Sequence, residues 1–194
     1  MMTKAVNASQ GDKVRTPTRL PNMSKCMNEQ ISIADLAVAD LMAAIGSTDI
    51  TPGAGSAAAV TVALATACAS KAVAMSLKHH ASDNELQSAN ESLKRISRFA
   101  LIGADRDAEA FRAFIKERNP STTNELLQEI DQVTQLIEAL LAIIRTIERR
   151  VAANMSGDLI AAKALAEAAH KIQSANERET EKARKSSMTQ SKHG

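Results

Sequence analysis

Apolar residues recur at intervals of three and four along most of the chain from residue 31 onward, and this period of about 3.6 predicts one helix after another. Ser32 opens the first, with Asp35 three residues on to complete a capping-box-like start. Ile33, Leu36, Leu41 and Ile45 give that helix an apolar face, and Gly46 stops it. The next stretch, TPGAGSAAAVTVALATACAS from Thr51 to Ser70, carries no charge. Its only large aliphatics are Val60, Val62 and Leu64, so it predicts a thin central helix packed closely by others rather than a membrane span. Ser82 and Glu85 then form a capping box ahead of a stripe made of Leu86, Ala89, Leu93, Ile96, Ala100, Gly103, Asp107, Ala110 and Phe114. Asn119 and Pro120 end that helix, because the residue before a proline is pushed out of the α region, and Thr122 with Glu125 caps the next. Leu126, Ile130, Val133, Ile137, Leu140, Ile144, Ile147 and Val151 keep a coiled-coil-like alternation of four and three. After a break at Asn154 to Asp158 a last helix follows, LIAAKALAEAAHKIQ. The pattern predicts an all-α fold, a bundle of about five helices, with more packing surface than one layer of helices covers and therefore a homodimer.

The two ends break the pattern. Residues 1–29 carry scattered Lys and Arg with Pro17 and Pro21 and no apolar period, which predicts a disordered basic arm with no secretory signal. Residues 177–194 alternate charge without an apolar face and predict a disordered tail, leaving 30–176 as a single helical domain. Composition agrees with helices: no Trp, no Tyr and only three Phe stand against abundant Ala, Leu, Glu and Lys. The net charge of +2, with both signs interspersed and no aromatic platforms, argues against nucleic acid as a partner. Cys26 and Cys68 are isolated thiols that suit a reducing cytoplasm, and the four histidines form no metal set.

Candidate chemistry falls at three places. The loop Gly53, Ala54, Gly55 and Ser56 precedes the alanine-rich helix, where free N–H groups face whatever the loop encloses; a plain turn followed by close helix packing is the equal alternative. Asp107 is a carboxylate on a buried stripe, which requires either a Lys or Arg partner from another helix or a wetted site where its pKa rises. Asp105, two residues away, points roughly to the opposite face and reads as solvated. Asp158 lies in the first turn of the last helix, where capping is the ordinary role of a carboxylate.

Taken in order, PGAGSAAA before an alanine-rich helix, DAEAF from Asp107 to Phe111, the turn with Asp158, and EAA from Glu167 to Ala169 followed by Asn176 resemble the formimidoyltetrahydrofolate cyclodeaminase and methenyltetrahydrofolate cyclohydrolase family over about residues 31–176. The resemblance implies an all-helical dimer acting on the one-carbon bridge between N5 and N10 of tetrahydrofolate. The reaction is then loss of ammonia from the 5-formimino form or hydrolysis of the 5,10-methenyl form, by acid–base chemistry with no metal and no cofactor beyond the folate itself. On that reading Asp107 moves the proton, Asp158 assists, the loop Gly53 to Ser56 binds a ligand oxygen, and Lys78 or His79 meets the glutamate tail. The chain departs from the family's usual pattern at Ala54, where a Gly is usual, at Gly157 before Asp158, and in having no Tyr. Ala54 in a glycine's place predicts backbone strain if φ is positive there. The alternative from another class is a non-catalytic helical-bundle dimer that serves as a folate-binding or interaction module.

Overall fold

The computed structural model describes residues 31 to 190; the basic arm expected at residues 1–29 and the last four residues of the expected tail lie outside them. The described chain runs as a 3-10 turn at Ile33–Asp35, α1 at Val38–Ile45, α2 at Ala54–Leu77, α3 at Asn84–Lys116, α4 at Pro120–Ile147, a second 3-10 turn at Ala153–Met155 and α5 at Ser156–Gln190. This is the all-α bundle of five helices that the periodicity predicts. Helices α2 to α5 form its body: α2 packs on α3 and α5, α4 closes the ring against α3 and α5, and α2 and α4 barely meet across the diagonal.

Each cap has a local cause that differs in detail from the sequence reading. Ser32 caps only the 3-10 turn, accepting from the Ala34 N–H, and the chain then extends through Leu36 and Ala37 before α1 starts. Asp83, not Ser82, is the N-cap of α3 and accepts from the Glu85 and Leu86 N–H groups. The Leu86 N–H and then Arg150, which bonds it at 3.1 Å, hold the Asp83 carboxyl below its usual range. Asn119 caps α4 in a reciprocal box with Thr122, with Pro120 in the first turn where its missing N–H costs nothing.

Two poles result from the up-and-down run of helices. At one, Arg150 after α4 pairs with Asp83 at the start of α3, the Ala152 N–H donates to Ser76 Oγ at 2.9 Å, and Lys71 of α2 meets Asp158 of α5 at 3.2 Å. At the other, the start of α2 meets the second half of α3 and of α5. Small side chains make this possible: Ala58, Ala59, Ala65, Ala69 and Ala72 are fully buried on α2, and Ala162, Ala166 and Ala169 on α5. By length and composition α2 would pass as a membrane-crossing helix, which corrects the expectation that it is too weakly apolar; half of that stretch is buried inside the bundle. The α4 seam from Leu126 to Ile147 is buried within the chain, so its stripe is spent on α3 and α5.

Helix α5 does not stop at Asn176. It continues to Gln190, where the charge pattern predicts a frayed tail. The reason is a stripe continued by small and polar residues: Ala162, Ala166, Ala169, Gln173, Asn176, Thr180 and Ala183 keep the four-and-three alternation, and Ala183 packs on the apolar cluster of Phe114, Leu126 and Ile130. Pairs three residues apart, Lys182 with Glu179 and Arg184 with Glu181, add ion pairs along this stretch.

Candidate functional site

The chemistry gathers where α2 begins. Asp107 of α3 is 6% exposed, and its carboxylate lies against the first turn of α2. A Cβ built on Gly55 would stand 1.9 Å from Asp107 Oδ1, so only a glycine at 55 admits the carboxylate. Ser56 Oγ donates to Asp107 Oδ2 at 2.9 Å, so a carboxylate from another helix meets the start of α2, where the Gly53 N-cap has no side chain to offer. No salt bridge to Asp107 exists among the described residues, so the expected alternative of a Lys or Arg partner does not hold.

Burial raises the Asp107 pKa above the usual range; the Ser56 hydroxyl and N–H oppose the rise, and the nearby Glu129 charge adds to it. Ser56 Oγ stands 2.9 Å from Asp107 Oδ2 and 3.0 Å from the Ala104 carbonyl oxygen, yet a hydroxyl has one hydrogen to give. That one hydrogen is shared between the two acceptors, the Asp107 carboxylate and the Ala104 carbonyl. Glu129 of α4 is itself raised by burial, against Arg106, and its Oε2 is buried without a hydrogen-bond partner among the described residues.

A cleft of about 140 Å³ opens over this carboxylate, lined by Gly53, Ala54, Gly55, Asp107, Phe111 and residues of α4 and α5. Its walls are mostly apolar, with Leu126 and Ile130 opposite the α2 start. The volume is below the roughly 300–1,000 Å³ of pockets that enclose a drug-sized ligand. The Gly53, Ala54, Gly55 and Ser56 loop and Asp107 are thus brought together. Ala54 is the first residue of α2, and no residue of the described chain has a positive φ, so the strain expected from replacing a glycine there is absent. At Gly103, one turn before Asp107 on α3, an added Cβ would meet Val133 of α4 at 3.2 Å.

Other expected site residues lie elsewhere. Asp158 pairs with Lys71, fifteen residues along α2 from Ser56 and so about 22 Å away. Lys78 and His79 stand at the C-terminal end of α2, about 35 Å from the loop, and no fold within this chain brings them to Asp107. Among the described residues no group of three or more His, Cys, Asp or Glu side chains is placed to hold a metal ion. Asp105 is not merely solvated: it accepts from Ser32 Oγ and from the Ile33 N–H, both at 2.6 Å, and ties the N-terminal turn to α3.

Sequence reasoning missed the α5 wall of the cleft, formed by Asn176, Glu179 and Thr180. The signal was present in the continued stripe through Gln173, Asn176, Thr180 and Ala183, hidden because none of these is a large apolar residue. Gln173 is fully buried and its Oε1 accepts from Asn176 Nδ2 at 3.1 Å, which holds Asn176 at the cleft.

No curated protein matches the chain. The sequence model of the formiminotransferase-cyclodeaminase family matches residues 37–178, which takes in α1 to α4, the loop before α2, Asp107 and α5 as far as Arg178. With well over half of its length matched and the glycine-gated carboxylate inside the match, the chain belongs to the formiminotransferase-cyclodeaminase family.

Proposed function

We propose that the chain is a folate one-carbon enzyme that closes the N5–N10 bridge of tetrahydrofolate with loss of ammonia, using Asp107 as the proton carrier. Family membership supports a folate-related one-carbon function, and one observation carries the finer reading: a carboxyl group with no cationic partner among the described residues, its pKa raised by burial, opens into an apolar cleft. In 5-formimino-tetrahydrofolate the N10 lone pair attacks the formimino carbon, N10 loses its hydrogen, and the carbon–nitrogen bond to the departing amine breaks with its electrons on that nitrogen. A protonated Asp107 gives its proton to the leaving ammonia, and the resulting carboxylate takes the N10 proton. The same group can move the protons when water adds to the methenyl carbon, which makes hydrolysis of the methenyl form the companion activity to assay. The start of α2, where Gly53, Ala54 and Gly55 line the cleft, suits the ring carbonyl of a pterin, and Phe111 offers it an apolar wall.

The test is ultraviolet titration with 5,10-methenyl-tetrahydrofolate, which reports binding and hydrolysis together, beside an ammonia-release assay on the 5-formimino form. Wild-type turnover of either, reduced about a hundredfold or more in Asp107→Asn, is the expected result. Binding without turnover would instead favour the non-catalytic folate-binding module.

A further inference from the structure

Glu179 is the one acidic side chain besides Asp107 that lines the cleft among the described residues, and it stands on the opposite wall. It lies just beyond the matched stretch of the family, on the part of α5 where the sequence predicts no structure. Its own fold contacts are slight. Its one ion pair among the described residues is loose, 3.8 Å to Lys182 one turn on, with both side chains more than three-quarters exposed. Nothing in the packing of α5 requires a carboxylate there, whereas the neighbouring Thr180 is buried and Asn176 is held by Gln173.

The two carboxyl groups differ in what surrounds them. Asp107 is enclosed, bonded to Ser56 and disposed to hold a proton. Glu179 reaches the same cleft from the solvent side, engaged among the described residues by the loose Lys182 pair. The formimino and methenyl groups share a delocalised N–C–N unit that carries positive charge, and a carboxylate is its natural partner through charge-assisted contact. We propose, on the basis of the folate reading above, that Glu179 is a substrate-contacting residue that faces the cationic one-carbon bridge from the α5 wall, while Asp107 moves the proton from the α3 side. Continuation of α5 past Asn176 is then part of the binding site, since it carries this charge over the cleft.

The probe pair that isolates this role is 5,10-methenyl-tetrahydrofolate, whose bridge is cationic, and 5-formyl-tetrahydrofolate, whose one-carbon group is uncharged. In Glu179→Gln the affinity for the methenyl form should fall about tenfold while that for the formyl form stays within about twofold; Glu179→Asp should retain most of the discrimination. The melting temperature should be unchanged, because the side chain is exposed. Equal losses for both ligands, or no loss for the methenyl form, overturn the inference while leaving the folate reading intact. A wild-type protein that binds neither ligand overturns the folate reading and this inference with it.

Discussion

At the scale of single residues the site rests on Gly55 and Asp107, and each has a test that reads physics rather than fold. In a helix, replacing glycine by alanine ordinarily gains about 1 kcal/mol. At position 55 the new methyl group would overlap the Asp107 carboxylate, so Gly55→Ala should lose about 1–3 kcal/mol in denaturant unfolding and displace the carboxylate. Gly53→Ala meets only the Ile50 carbonyl at 3.8 Å and should leave stability within about 0.5 kcal/mol, which separates the two glycines of one loop. Asp107 makes a prediction about pH. Its folded pKa lies above the ordinary 3.8 of an unfolded chain, so the stability it confers is fully present below that value and is lost as pH rises through its folded pKa. Asp107→Asn has no such titration. The melting temperature of the wild type minus that of Asp107→Asn should therefore fall as pH rises over that range; a flat difference would show an unshifted carboxyl, and a growing one a carboxylate stabilised as an ion. Asp107 was legible in the sequence because a charge interrupts an apolar stripe. Its partners were not, since the register that sets Gly55 and Ser56 of α2 against residue 107 of α3 is a tertiary fact that neither helix's own pattern contains.

Among the elements, α5 shows most clearly where local pattern and tertiary context part. Helices α3 and α4 were readable nearly end to end, since Leu, Ile and Val mark their buried faces; caps slipped by one to three residues because Asp83 and Asn119 competed with equally plausible neighbours. In α5 beyond Asn176 the alternating charges suggest a solvated tail, yet Thr180 and Ala183 meet the apolar end of α3 and α4. The outer pairs, Lys182 with Glu179 and Arg184 with Glu181, contribute little at such exposure, so packing decides. Deleting residues 177–194 should accordingly cost about 2 kcal/mol, or about 4–8 °C in melting temperature for a chain of this size. Calorimetry of the truncated chain checks this. A melting temperature equal to that of the full chain would mean that α5 past Asn176 is held by propensity alone and covers the cleft only loosely.

For the molecule as a whole, the question is what meets the face of α2 that the bundle leaves open. The α4 seam is satisfied by α3 and α5 and gives no reason for a dimer. The alanine-rich helix supplies a better one. Its residues Ala57, Val60, Thr61, Leu64, Ala67, Cys68 and Ala74 recur at intervals of three and four on the side turned away from the buried set, with Lys71 the only charge among them. Leu64 is 55% exposed in the middle of that stripe, and on α1 Val38 and Met42 are exposed as well. A largely uncharged stripe on a helix about 36 Å long is more than the scattered apolar residues of an ordinary surface. A second copy of the same helix, related by a two-fold axis, would cover it with small side chains that allow close approach. Sedimentation at micromolar concentration should therefore give a homodimer, and Leu64→Asp should give a folded monomer. The substitution places a charge where the partner helix would exclude water, while within one chain it adds only a solvated carboxylate to an exposed position. A wild-type monomer, or a Leu64→Asp protein that still sediments as a dimer, would turn the search for the interface away from α2.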